Sequence, residues 1–449
     1  GKPVDELWTN LGPEVINISY TGSRSIIHRV IQIDFSSISA FLTGFSTYPQ
    51  PLRLRLRIFT IFFLYKQTHQ TVRKGELSTI MKLVFDKADL VKSVGIAMKA
   101  VSGKTTMPIL ECILIDASSN VIKFTSNDME LGIETIVTGM ILERGIVALD
   151  AKIFSEIVRK LPDNQVTIET DENLVTTITC EKAKFNIPGQ SGEDFSYLPI
   201  LETSDCVSIS QFTLKELIRQ TIFSIAANEN NKLMTGELFE IKDNTLRVVS
   251  LDGHRIAIRR IELKDSYPDR KVVVPGKTLN EISKILSGEM DDQIDIYFSE
   301  NHIMFKFDDT MVVSRLIDGE YFRIDQMLSS DYETKVTINK KEFLSCIDRA
   351  TLLVKEGDKK PIIIDIQDGA MELQINSAMG SMKEEIDINK EGKDIMIGFN
   401  PKFLIDALRV IDDEEISIYL VNPKAPCFIR NEEESYIYLI LPVNFNSVR

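Results

Sequence analysis

The chain has 449 residues, 43% hydrophobic and 26% charged, with 52 Lys and Arg against 66 Asp and Glu. That length predicts two to four domains of roughly 100–200 residues, and the composition excludes a wholly disordered or fibrous chain. A net charge of −14 argues against an indiscriminately basic nucleic-acid binder. Five scattered cysteines without a C-x-x-C predict neither a disulfide framework nor a zinc site, which favours a reducing cytoplasm. The longest apolar run, Ile58 to Tyr65, is interrupted by Thr60 and falls far short of the ~20 residues of a membrane span.

Residues 1–80 differ from the rest. They contain none of the 14 methionines and carry nine basic against five acidic residues, leaving 43 against 61 for the remainder. Their Leu52-Arg-Leu-Arg-Leu-Arg57 block and the apolar run after it lie too far from the start for a targeting signal. Arg73-Lys74-Gly75-Glu76, shortly before Met81, fits an in-frame translation of a purine-rich ribosome-binding site. The stretch is therefore expected to be a leader of translated upstream or vector-derived sequence, with the native protein starting at Met81.

Beyond it, one unit recurs three times. Leu83-Val-Phe85-Asp-Lys87, Val207-Ser-Ile209-Ser-Gln and Val336-Thr-Ile338-Asn-Lys340 each alternate with period two and then take a helical pattern. A second helical signature follows inside each unit at Lys152, Lys277 and Lys402, spaced by two steps of 125. About 15 residues later come Val166–Thr170, Ile294–Phe298 and Ile416–Leu420, which read as half-buried antiparallel strands. Each unit thus predicts strand, helix, strands, helix, strands: two helices packed on an antiparallel sheet, an α+β domain. A repeat of this length is a domain rather than a solenoid unit.

Six candidate helices (86–99, 150–160, 212–226, 276–286, 340–353 and 400–410) hold 15 basic and nine acidic residues inside an acidic body. A basic helical layer on an acidic shell would offer phosphate a single face.

Apparent catalytic motifs dissolve. Ser102-Gly-Lys-Thr-Thr106 lacks the glycine a phosphate loop needs five residues before Gly103, where Met98 stands. Asp252-Gly-His-Arg255 has no nucleophile elbow and reads as a turn between strands with a structural histidine. His254 and His302, outside the leader, are too few for a metal cluster. Acidic pairs such as Glu384-Glu385 read as solvated turns. No catalytic residue, metal site or cofactor emerges.

Several short segments, in order, resemble one family. They are Met81-Lys-Leu-Val-Phe85, Thr106-Met-Pro-Ile-Leu110, Ser126-Asn-Asp-Met-Glu130, Phe185-Asn-Ile-Pro-Gly189, Asp252-Gly-His-Arg-Ile-Ala257, Leu316-Ile-Asp-Gly319 and Leu441-Pro-Val443. On three repeats they make residues 81–449 similar to the bacterial DNA polymerase III beta subunits, the sliding clamps. The resemblance implies clamp domains at 81–200, 206–327 and 334–449, and a head-to-tail homodimer closing a six-domain ring around duplex DNA. It implies a non-catalytic processivity factor in the cytoplasm, with no membrane association, that holds DNA without reading its sequence.

It further implies DNA-facing roles for Lys104, Asn228, Lys232 and Lys277. A pocket for Q-L-x-L-F peptides would be lined by Leu233, Leu251, Gly253, His254, Arg255, Ile256, Phe322, Met327, Ile440, Leu441, Pro442 and Val443. Its users would be the polymerase III alpha subunit, the clamp loader, repair polymerases and mismatch-repair proteins. Phe185 and Ile187 would pack on Leu352 and Leu353 of the second copy. The chain departs from the family pattern at Phe322, where proline is usual, and at Asn231 and Gln326, where arginines are frequent. An alternative class is a protein-only peptide scaffold that never encircles DNA.

Overall fold

The computed structural model describes residues 81–103, 105–201, 206–227, 231–355 and 360–445, so the leader expectation lies outside the described residues. Three strands, Met81–Asp86, Cys206–Ser210 and Thr334–Asn339, each feed straight into a helix: Lys87–Ala97 (α1), Gln211–Thr221 (α3) and Lys340–Thr351 (α5). The lysine signatures open the second helix of each repeat: Ala151–Lys160 (α2), Gly276–Ile285 (α4) and Pro401–Val410 (α6). The two helices of each repeat pack on each other.

The helix starts are set by side chains. Asp86, Asp150, Ser210, Asn339 and Asn400 each accept a backbone N–H of the first turn, satisfying a donor the helix cannot. Only α4 begins without such a cap, at Pro275-Gly276. Gly276 is needed there, because a Cβ would lie 2.3 Å from Ile225 and 2.8 Å from the Thr235 carbonyl.

Behind the helices, the antiparallel strands among the described residues form sheets of 13, seven and four strands. Two of these cross from one repeat to the next. Thr310–Arg315 of the second repeat pairs with Leu131–Val137 of the first, with Val312 opposite Ile133. Tyr436–Ile440 of the third pairs with the start of Arg255–Pro275 in the second, with Tyr438 opposite Ala257. Both joints use the same strands of the repeat. Val312 and Tyr438 each trace back, strand by strand, to Ile296 and Ile418. Ile133 and Ala257 each pair with a serine, Ser126 and Ser250. These serines donate to Ala97 O and Thr221 O at 2.5 Å, tying each sheet to the end of its first helix in the same way.

Each repeat has an apolar core between sheet and helices, built on Phe85, Phe124 and Phe154 in the first, Phe239 and Phe305 in the second, and Phe343 and Phe399 in the third. The cores share members across the joints: Leu131 and Ile133 enter the second, Ala257 the third. A further buried apolar cluster lies on the other face of the sheet, between the second and third repeats.

Candidate peptide pocket, DNA-facing residues and subunit edge

The off-core cluster is where strand alternation puts the side chains that do not face the helices. Leu238, Val249, Leu251, Ile256 and Val273 come from the second repeat, and Tyr419, Phe428, Ile437 and Leu439 from the third. Leu233, Met234, Ile317 and Phe322 pack on its margin. Phe322 meets Tyr321 edge-on at 5.6 Å, so the ring that replaces the usual proline is held by its neighbour. Beside it runs a groove of about 530 Å³ whose lining includes Leu238, Val273, Ile317, Tyr321 and Phe322. At the groove's edge, Arg247 donates to Asp325 at 2.6 Å and holds that carboxyl below the usual carboxylate range. Asn231, standing where an arginine is frequent, accepts Leu233 N and caps the short turn Lys232–Thr235.

The Asp252–Arg255 turn shapes the other margin. Gly253 takes φ +86°, a conformation costly for a side chain, while Asp252 Oδ1 accepts the N–H groups of His254 and Arg255. The turn's carbonyl at His254 accepts Leu441 N at 2.9 Å, fixing the chain end against it. Leu441 is exposed, whereas Val443 N donates back to Gly398 O within the third repeat.

Three expected pocket residues are placed otherwise. Ile440 is buried in the core of the third repeat, and its neighbour Leu439 lies in the off-core cluster instead. Arg255 points inward: its guanidinium reaches Asp252 at 3.0 Å, Asp406 at 2.7 Å and Phe223 O at 2.6 Å, and lies over the rings of Phe223 and Phe403. It joins the second repeat to α6. Met327 is exposed outside the cluster. Leu233, Leu251, Ile256 and Phe322 share the off-core cluster, with Gly253 and His254 on the adjoining turn and Pro442 half-buried.

Of the expected DNA-facing residues, Lys104 and Asn228 lie outside the described residues. Lys232 is exposed. Lys277, at the start of α4, is ion-paired with Asp128 of the first repeat. Other helix cations are also engaged: Arg219 with Glu216 and Asp412, Lys284 with Glu281, Arg349 with Glu384, and Arg409 with Asp348. The basic surplus counted along the helices therefore overstates the free positive charge they present.

At the expected subunit seam, Phe185 is 40% exposed and Leu352 74%, large for apolar side chains. Ile187 belongs to the core of the first repeat, and Leu353 packs on the third-repeat core and against Gly380. These two are held by their own repeats. Among the described residues no group could hold a metal ion, and no helix is long and apolar enough to cross a membrane.

Three α+β repeats joined edge to edge through shared sheets, with a buried apolar cluster at one joint and a groove beside it, define a clamp architecture. Models of the DNA polymerase III beta subunit match its N-terminal domain at residues 81–199, its central domain at 208–322 and its C-terminal domain at 325–444. The chain is 33% identical over 375 residues to the beta sliding clamp of Staphylococcus epidermidis, covering 81% of this chain and 99% of that protein. It superposes on a putative DNA polymerase III beta subunit from Eubacterium rectale with 71% identity and TM-score 0.80, covering 81% of this chain and all of that one. A Bacillus subtilis DNA polymerase sliding clamp gives 35% identity and TM-score 0.78, covering 82% and 100%. The chain belongs to the DNA polymerase III beta subunit family, the bacterial sliding clamps.

Proposed function

We propose that two copies of this chain close head to tail into a six-domain ring around duplex DNA. The ring serves replication in the cytoplasm as a non-catalytic processivity clamp, its domains being 81–200, 206–327 and 334–449. One observation carries this reading: the joint between repeats is used twice within the chain, and each half of it recurs once more without a partner among the described residues. Phe185 stands where Val312 and Tyr438 stand, since it too traces back through Ile178 to Ile168. Met382 stands where Ile133 and Ala257 stand, paired with Ile375 in the place of the two serines. The outer edges of Ala183–Ile187 and Gly380–Glu384 are thus the two free halves of a third joint. A flexible monomer would leave them exposed as pairing edges; a second copy covers both.

Continuing the same register puts Phe185 opposite Met382 of the partner subunit and Ala183 opposite Glu384 of the partner subunit. Lys104, Asn228, Lys232 and Lys277 would face the DNA phosphates, held loosely so that the ring slides. The pocket around Leu251, Ile256, Phe322 and Leu439 would take a peptide with apolar anchors, from the polymerase III alpha subunit, the clamp loader, or repair polymerases and mismatch-repair proteins.

The test loads the full chain onto a nicked circular plasmid with a bacterial clamp loader and ATP, isolates the complex at moderate salt, and linearises the DNA. Retention on circles with release from linear DNA is expected. Equal release from both would overturn encirclement and favour a protein-only scaffold.

A further inference from the structure

The first strand of each repeat has a neighbour on one side in all three repeats, and on the other side in only two. Met81–Asp86 lies between Gln165–Thr170 and Met140–Glu143. Thr334–Asn339 lies between Glu415–Leu420 and Asn389–Gly392. Cys206–Ser210 pairs with Gln293–Phe298 and, among the described residues, ends its sheet. Counted back from the second helix, the counterpart of the second neighbour falls at residues 264–268. Register shifts on either side of Asp243, opposite Tyr267, turn that stretch aside, and Pro268 has no N–H to give a ladder.

A groove of about 550 Å³ lies between the two stretches that pair in the other repeats. Its lining includes Val207 and Phe298 from the unclosed side and Tyr267 and Pro268 from the diverted one. Ile200, 91% exposed, stands beside them. An open strand edge next to apolar side chains is where an extended peptide adds through backbone hydrogen bonds, with alternate side chains in pockets.

Two further grooves connect this one to the cluster between the second and third repeats. A charged groove of about 620 Å³ shares Ile241 and Arg270 with it. The charged groove also shares Arg247, Lys271 and Asp325 with the groove beside Tyr321 and Phe322. The three follow a single strand in order, lined by its residues 267 and 268, then 269–271, then 271–273. Those six steps of extended chain span about 20 Å.

The middle groove is where charge selects. Glu240 is taken by Arg247 and Lys271, and Asp325 by Arg247. Lys242 and Arg270 are exposed, and no ion pair engages either among the described residues. Against these two cations the lining sets Asp269 alone. The surplus is positive and suits an acidic segment of a passing chain.

We propose that the pocket beside Phe322 is the first part of a longer peptide track. A partner chain anchored there crosses the charged groove with acidic residues and adds its apolar end as a strand beside Cys206–Ser210. The partner this fits is an extended segment with an apolar motif, an acidic spacer and a short β-prone tail. The shared lining residues tie the open edge to that partner. This inference rests on the pocket reading above, and its test separates the two.

The experiment uses the full chain and three labelled peptides. One is Gln-Leu-Ser-Leu-Phe; the others carry Ser-Asp-Glu-Ser-Val-Ile after that motif, or the same six residues reversed before it. Anisotropy reads affinity, and hydrogen exchange reads the amides of residues 207–210. One extended peptide is expected to bind about tenfold more tightly than the short one and to slow exchange at 207–210, which the short one leaves unchanged. Arg270→Glu should remove the gain and spare the short peptide, and replacing Asp-Glu by Lys-Lys in the peptide should do the same in wild type. No gain and no protection with either extension overturns the track. Protection that grows with protein concentration in the absence of peptide overturns it too, giving the edge to a second copy of the chain. If the short peptide fails to bind while an extended one still protects 207–210, the pocket reading falls and the strand-addition site stands.

Discussion

Lys277 and Asp128 form an ion pair across the joint between the first and second repeats, with the lysine side chain largely exposed and the aspartate buried. The pair neutralises a cation that the DNA-facing role would need. Asp128 also holds a turn, its Oδ1 accepting Glu130 N at 3.0 Å and Leu131 N at 2.7 Å. Asp128→Asn keeps that oxygen and removes the charge, so it should free Lys277 without loosening the turn. The salt dependence of binding to a short duplex should then steepen by up to ~0.9 in log–log slope, the value of one added phosphate contact. Lys277→Ala on that background should reverse it. Anisotropy titrations over a salt series give the slopes, and an unchanged slope in Asp128→Asn would take Lys277 off the DNA-facing surface.

The seam prediction turns on which apolar side chains are spare. Phe185 and Leu352 are exposed, while Leu353 is used by its own core. Phe185→Asp with Leu352→Asp should therefore give a folded monomer, because the charges replace only surface the partner would cover. Leu353→Asp should instead lower stability within the protomer. Sedimentation velocity with circular dichroism separates the cases; a double variant that still sediments as a dimer would place the seam elsewhere.

The repeat is legible in the sequence because it is written locally. Period-two strands leading into helices, and lysines at 152, 277 and 402, are visible within short windows, and the helices start where those windows predict. The joints are not legible, because they are made by residues such as Thr135 and Thr310, 175 positions apart and hydrogen-bonded at 2.9 Å. Strand alternation also gives no face for Tyr436–Ile440, which is apolar at every position and buried on both sides. Ile440 is expected in the pocket; the structure buries it in the third-repeat core and puts Leu439 in the cluster between the repeats. Glu237, fully buried in the second repeat, can be found by aligning the repeats with each other, where it alone stands against two isoleucines, Ile113 and Ile362. Its burial cannot, since an isolated Glu in a strand reads as solvent-facing.

That one-residue step can be measured. Leu439→Ala removes a third-repeat side chain from the cluster between the repeats and, on the proposed pocket, should weaken Gln-Leu-Ser-Leu-Phe binding by about 1–2 kcal/mol with a small loss of stability. Ile440→Ala opens a cavity under the third repeat and should cost about 2–5 kcal/mol of stability while leaving the affinity of the folded protein nearly unchanged. Urea midpoints and anisotropy on the same preparations decide the matter. The reverse pattern would put Ile440, not Leu439, in the pocket.

Glu237 should leave its mark on global stability, with a definite sign. An unfolded glutamate titrates near ~4.3, and burial pushes the folded carboxyl up to about 8. Between those values the folded state holds a proton that the unfolded state has released, so stability falls as pH rises, by up to ~1.4 kcal/mol per pH unit. The contribution is fully present below the lower value and is gone above the upper one. Glu237→Gln has no such proton and resembles the neutral acid in shape. Near pH 4.5 variant and wild type should therefore unfold at similar urea concentrations, and the variant should gain steadily until about pH 8, reaching a few kcal/mol, then run parallel. Other carboxylates shift both curves together and cancel in the difference. A difference that is flat from pH 5 to pH 8 would mean that Glu237 is ionised in its seat, with some partner stabilising the charge.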